Sequence, residues 1–272
     1  MAASHLTPPF SKLVIYTGNI MKTGTATLAN SSVKKSNIEL VTAIKDTLRN
    51  SLTHDNPSFH YDADTELLKI PDIHYKSHVL SEDRKDVDIT ANTLPSSYVD
   101  QSIAHIKSLL GVDSVDTFIV SFGDVAFDGD DEDEQKEGKI KTEDMLKVWK
   151  DLESHHRRGS ISKLGVSEFS RARLEIFLGA VEISPKVNQI NLRDCCVMPR
   201  ELIEFSKENS IDLLTHGDSN DILPTHTLDK LLAEYSLSPA IEIAPRWVLK
   251  YSVIISSRGV VTDKGYIVSA DV

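Results

Sequence analysis

At 272 residues, 40% of them hydrophobic, the chain is long enough to bury one large core, and a single domain spanning 1–272 is routine for an α/β barrel. With 41 acidic against 30 basic residues the net charge is −11, a field that repels phosphate backbones and anionic lipid, so neither nucleic acid nor membrane is expected as a partner. No stretch approaches the ~18 uninterrupted apolar residues of a membrane span, the N-terminus lacks the pattern of a secretory leader, and the only cysteines, Cys195 and Cys196, are vicinal. Two adjacent cysteines make neither a disulfide framework nor a structural zinc site, which fits a reducing, cytoplasmic setting without a metal.

In chain order, short β-branched runs alternate with helical patterns. Strands are predicted at Lys12 to Tyr16, weakly between Glu66 and Tyr75, then at Val87 to Thr90, Asp116 to Ser121, Ser160 to Val166, Val187 to Leu192, Ile211 to Thr215 and Ser252 to Ser256. Apolar residues recur at helical spacing between them: Val41, Ile44, Leu48; Val99, Ile103, Ile106, Leu110; Met145, Val148, Trp149, Leu152; and Leu174, Phe177, Leu178, Val181. For the third of these, Thr142 can cap the start, Glu143 and Asp144 suit the positive end of the helix dipole, and Gly159 supplies a left-handed stop. Pro199 opens a further helix with Leu202 and Phe205, and Pro245 a short one with Trp247 and Val248. Eight strands in βαβα order imply a closed (β/α)8 barrel of TIM type, with an open doubly wound sheet as the alternative; no G-x-G-x-x-G loop supports the latter.

Two segments break the pattern. Residues 126–140 enclose D-G-D-D-E-D-E-Q-K-E, a net −6 run expected to be a solvated, disordered insertion. After Ser256 the chain is glycine-punctuated and β-rich with no amphipathic pattern, so the barrel's last helix is expected to be absent or replaced by an irregular segment.

Candidate chemistry is sparse. Cys195 and Cys196 fall just past the sixth predicted strand, near the rim where such barrels place functional groups; a reactive thiol there competes with the plainer reading of two small buried fillers. His155 and His156 are expected as a solvated helix end, His216 as a structural or interface polar residue after the seventh strand, and Met145, Trp149 and Trp247 as core.

The runs V-D-T-F-I-V-S-F (115–122), I-S-K-L-G-V-S-E-F-S (161–170), P-K-V-N-Q-I-N-L (185–192) and E-F-S-K-E-N-S-I-D-L-L (204–214) resemble the aldo-keto reductase superfamily. Within it, N-Q-I-N-L-R-D-C-C-V-M-P (188–199), L-L-T-H (213–216), R-W-V-L-K-Y-S-V-I (246–254), S-R-G-V-V (257–261) and K-G-Y-I (264–267) resemble the regulatory, or modifier, subunits of glutamate–cysteine ligase; before Ser97 only Y-T-G-N (16–19) and the general layout agree. An active reductase of this superfamily uses a Tyr acid tuned by a Lys–Asp pair, a His that orients the carbonyl, and NADPH. Where the resemblance would place the His this chain has Ser121, where it would place the Lys it has Asn92 or Thr93, and no Tyr near the expected place follows an Asp by five positions. Ser257 and Arg258 are left as weak contacts for a cofactor phosphate, without the following helix whose N-terminus would complete the cradle.

The resemblance therefore implies a noncatalytic protein with no cofactor, bound as a heterodimer to the glutamate–cysteine ligase catalytic subunit, improving its glutamate binding and relieving glutathione inhibition at the first step of glutathione biosynthesis. The expected contact residues are Cys195, Cys196, Val197 and Met198 at the rim, and Val260 and Tyr266 in an exposed C-terminal segment. A divergent NADPH-dependent aldo-keto reductase is the alternative.

Overall fold

The run Lys12–Tyr16 (β1) pairs its β-branched and aromatic side chains into a core, with every residue after Lys12 buried. In the computed structural model, which describes residues 7–22, 36–53, 56–71, 73, 80–94, 98–122, 125, 142–191, 197–218, 222–237, 239 and 241–272, the chain divides into two compact units. The first comprises residues 1–87, 108–111 and 221–272, and the second 88–107 and 112–220.

In the first unit, Ser36–Leu52 (α1) follows β1, and His60–Asp62 (β2) forms a hairpin with Leu67–Ile70 (β3). The C-terminal part carries Thr225–Glu234 (α6) and two 12-residue strands, Ala244–Ile255 (β9) and Val260–Asp271 (β10). The sheet order is β2-β3-β1-β10-β9, with β1 parallel to β3 and antiparallel to β10. Gly265 sets the closest approach. A Cβ there would lie 2.1 Å from the Gly18 carbonyl oxygen and 2.7 Å from the Tyr251 hydroxyl, so β10 can run beside the end of β1 only without a side chain at that position.

In the second unit, Val87–Leu94 (β4, whose first residue falls in the other unit), Val115–Val120 (β5), Ile161–Ser167 (β6), Val187–Asn191 (β7) and Asp212–His216 (β8) lie in that order, each parallel to the next. They alternate with Val99–Leu110 (α2), Thr142–Arg157 (α3), Arg171–Leu178 (α4) and Arg200–Glu208 (α5). Helix α3 buries Met145, Trp149 and Leu152 on one stripe, and Gly159 beyond its end takes φ +75°, the left-handed stop that only glycine adopts readily. Trp149 stacks edge-on against Phe177, which does the same against Phe169, with centroids 5.1 and 5.2 Å apart. Helix α4 is capped by Ser170, whose hydroxyl accepts the Arg173 N–H at 3.2 Å.

The α/β class and the alternation expected of an aldo-keto reductase-type barrel are present, and Met145, Trp149 and Trp247 are core as read. Several local readings are corrected. Pro245 opens no helix: Trp247 and Val248 lie in β9, where antiparallel pairing with β10 prevails over the weak helical signal. The segment after Ser256 is not irregular, because V-V-T-D-K-G-Y-I-V-S-A-D folds back on β9 as a full strand after a turn at 256–259. His155 is not solvated; it is buried, with Nε2 2.6 Å from Asp100 Oδ1 on α2. The acidic run at 126–140, like Cys195 and Cys196, lies outside the described residues. Gly265→Ala is expected to lower stability by about 2 kcal/mol or more, since the contact it creates is with backbone as well as a pinned ring; urea unfolding measures it, and a loss under ~0.5 kcal/mol would contradict the close approach.

Candidate functional site

In the second unit, parallel pairing brings the C-terminal ends of β6, β7 and β8 side by side: Ser167 is opposite Gln189, and Asn191 opposite His216. A buried polar cluster forms there. Glu168, the residue after β6, has φ +65°, a left-handed conformation that costs a non-glycine residue about 1 kcal/mol or more. The turn is held because the Glu168 N–H donates to Gln189 O at 2.9 Å, the Asn191 N–H donates to Glu168 Oε1 at 2.9 Å, and His216 Nε2 lies 2.5 Å from the same oxygen.

On its other side the His216 ring faces Asp218, with Nδ1 3.6 Å from Oδ2 and 3.2 Å from the Asp218 N–H; Asn191 Nδ2 donates to Asp218 O at 2.8 Å. Burial alone would lower the His216 pKa, but the Asp218 and Glu168 carboxylates outweigh it and push it up to about 9. At neutral pH the ring is therefore a cation and both nitrogens carry hydrogen. Nδ1 then serves the Asp218 carboxylate and cannot accept from the amide.

Ser167 Oγ lies 3.5 Å from His216 Nε2, close to a serine–histidine–aspartate arrangement. It is not one in function: the Ser167 hydroxyl donates to Gln189 O at 2.9 Å, Nε2 is taken by Glu168, and a cationic ring accepts no proton. The cluster ties three strand ends together and leaves no activated nucleophile. Sequence reading found His216 but missed Glu168; a glutamate directly after a strand in V-S-E-F was the available signal, and nothing local discloses its left-handed backbone.

The other predicted site residues are scattered. Val197 is 75% exposed and Met198 half-buried, both just before α5, while Val260 is 53% exposed at the start of β10. Tyr266 is corrected: it is fully buried, its hydroxyl 2.5 Å from Glu39 Oε1, so it presents no surface to a partner. Burial tends to raise the Glu39 carboxyl, yet hydrogen bonds from Lys264 and Tyr266 hold it below its ordinary value. Ser257 and Arg258 occupy the exposed turn between β9 and β10, and a strand follows them instead of a helix N-terminus, so they do not fit a dinucleotide phosphate seat. Ser121 is buried directly after β5, and Asn92 and Thr93 lie in β4 with side chains outside the described residues. Tyr16 and Tyr251 both have hydroxyls shifted upward, by burial first, the reverse of what a tyrosine acid needs. Among the described residues no group of three His, Cys, Asp or Glu is placed to hold a metal, and no helix is long and apolar enough to cross a membrane.

Parallel strands alternating with helices, with polar residues gathered at the strand ends, define an α/β protein of the aldo-keto reductase class. A family model for the Aldo/keto reductase family matches residues 82–217, half of the chain, and the chain belongs to that family. Among curated proteins it is similar to the glutamate–cysteine ligase regulatory subunits of Homo sapiens and Bos taurus, 28% and 29% identical over 99% of this chain and 96% of each relative. A Schizosaccharomyces pombe protein named a putative glutamate–cysteine ligase regulatory subunit is 27% identical over 95% of this chain and 96% of its own length. The crystal structure of an aldo-keto reductase of the silkworm, Bombyx mori, matches with 21% identity and a TM-score of 0.39 over 53% of this chain and only 42% of that one.

The His216 cation has a defined pH signature. Its pKa is raised in the folded state, so its contribution to stability is complete below about 6.5 and lost as pH rises through about 9. Between pH 7 and 10, urea unfolding is expected to show a decline of about 1–3 kcal/mol that is absent in His216→Gln; an equal decline in the variant would remove the assignment.

Proposed function

We propose that this chain is a noncatalytic regulatory subunit of glutamate–cysteine ligase, which binds the catalytic subunit as a heterodimer in the cytoplasm, raises its hold on glutamate and weakens feedback inhibition by glutathione. One observation carries the reading: proteins named as that regulatory subunit match along 99% of this chain and 96% of their own length, well beyond the part that matches the reductase family model. The site chemistry supports it. A reductase needs a tyrosine acid and a grip on its dinucleotide, whereas here the shifted tyrosines are poor acids, Ser257 and Arg258 sit on an exposed turn, and the polar strand-end cluster is closed on itself.

A binding partner changes another chain's affinity only by binding one of its conformations more tightly, with a coupling typically of ~1–3 kcal/mol. The contact candidates are the exposed Val197 and half-buried Met198 before α5 and, separately, the exposed Val260 at the start of β10. Cys195 and Cys196 adjoin the first of these in sequence.

Family membership favours the competing reading, a divergent NADPH-dependent aldo-keto reductase. Co-purification with the ligase catalytic subunit, together with a lowered glutamate requirement of the complex, is the expected result. Met198→Ala and Val260→Ala are each expected to weaken that association several-fold. Saturable NADPH binding with aldehyde turnover by the isolated chain, and no association with the ligase, would replace this reading with the reductase one.

A further inference from the structure

In the first unit, β9 and β10 lose register between Val261 and Asp263, so that Thr262 is an extra, bulged residue. Three segments meet at this bulge. Asn19 Nδ2 donates to Thr262 O at 2.9 Å, the Ile20 N–H donates to Lys264 O at 2.8 Å, and the Thr262 hydroxyl donates to Glu82 Oε1 at 2.8 Å. The stretch after β1 and the stretch at 81–82 are thus both fastened to Thr262, and the former to Lys264 as well.

Asp263 is the residue that closes the bulge, and it points inward. Its side chain is nine-tenths buried, and Oδ1 has no hydrogen-bond partner among the described residues. The buried Tyr251 hydroxyl on β9 faces it, near enough to act on its carboxylate yet outside hydrogen-bond geometry, so neither atom has a full partner. The Tyr251 ring sits over Gly265, where a Cβ would stand 2.9 and 2.7 Å from its Cε1 and hydroxyl. A buried carboxylate with an unfilled oxygen is tolerated far better as the neutral acid, which supplies its own donor to a neighbouring oxygen.

We propose that Asp263 is a proton-operated latch: neutral, it lets the bulge pack shut and holds the 17–22 stretch and Glu82 on β10, and ionised, it loosens that end of the β9–β10 hairpin, including the exposed turn at 256–259. The proton comes from solvent and goes to one carboxylate oxygen of Asp263; no other group changes state. The charged and titratable groups facing Asp263 are Tyr251 on β9, Lys22 beyond β1 and Glu82, with the Lys264 N–H on β10 itself. Burial lifts its pKa to about 6, against the pull of the Tyr251 hydroxyl and Lys22 and with the push of Glu82. Since the folded-state value is raised, the stabilisation is complete at acid pH and is lost as pH rises through about 6. The latch is independent of the regulatory reading and would operate in the isolated chain.

Amide hydrogen exchange on the full chain from pH 5 to 8, corrected for intrinsic rates, tests it. Protection over residues 256–264 is expected to fall about tenfold with a midpoint near pH 6, and to stay high across the range in Asp263→Asn. Lys22→Met should move the midpoint up and Glu82→Gln should move it down, and these two variants decide the matter if Asp263→Asn does not fold. Flat protection in the unmodified chain, an unchanged step in Asp263→Asn, or a midpoint that neither charge variant moves would overturn the latch.

Discussion

The contact on which the second unit's strand ends depends is that between the His216 ring and the Glu168 carboxylate. Glu168 occupies a backbone conformation that resists a side chain, and it stays there because its carboxylate satisfies both the Asn191 amide and the His216 ring. Remove the histidine and a buried carboxylate faces Asp218 without a cation between them. Remove the glutamate and the imidazolium loses its nearer anion while the turn after β6 loses its reason to be left-handed. The three strand ends are therefore held by charges that each need the others, and such groups respond to mutation as a set and not one by one.

That closure bears on function. The C-terminal ends of parallel strands are where this class of fold offers its polar groups to ligands, and a fold alone does not dictate chemistry. Here the available donors and acceptors are spent on one another: Ser167 on Gln189, Asn191 on Asp218, His216 on its two carboxylates. An arrangement of this kind resists rearrangement around a substrate and is well suited to keeping a surface in fixed shape. This accords with a reading in which a reductase framework acts on another protein, and it locates whatever adaptability the chain has elsewhere, in the first unit around Asp263.

Much of the fold was legible because its signals are local and periodic. The stripe Met145, Trp149, Leu152, the stop at Gly159 and the strands β5 to β8 follow from spacing and turn chemistry. The failures were of another kind. Residues 244–248 carry a helix-like start at Pro245, yet they pair along β10, a partner that the local window could not contain. His155 reads as a solvated end by position, but it is buried and contacts Asp100, on a helix 55 residues away in sequence. Tyr266 was expected to lie outside, in an exposed C-terminal segment; instead it is buried, with its hydroxyl on Glu39 of α1. The candidate site was half visible for the same reason: His216 is a noticeable residue type after a strand, whereas Glu168 gains its meaning from a backbone angle and from two neighbouring strands.

Helix α3 carries one further lesson in Glu153, which is buried on the helix's inner side and accepts the N–H groups of Glu182 and Ile183 at 2.9 and 2.8 Å, with Arg157 one turn further on. Leucines, methionines and tryptophans alone would tolerate a helix that slid or rolled by a fraction of a turn, because apolar contact has little directional preference. A carboxylate aimed at two particular amides does not. Any axial slip would strand an anion and two donors away from water, so the setting of α3 is keyed by one acidic side chain as a bolt keys a shaft, and the connection leading into β7 is indexed to it.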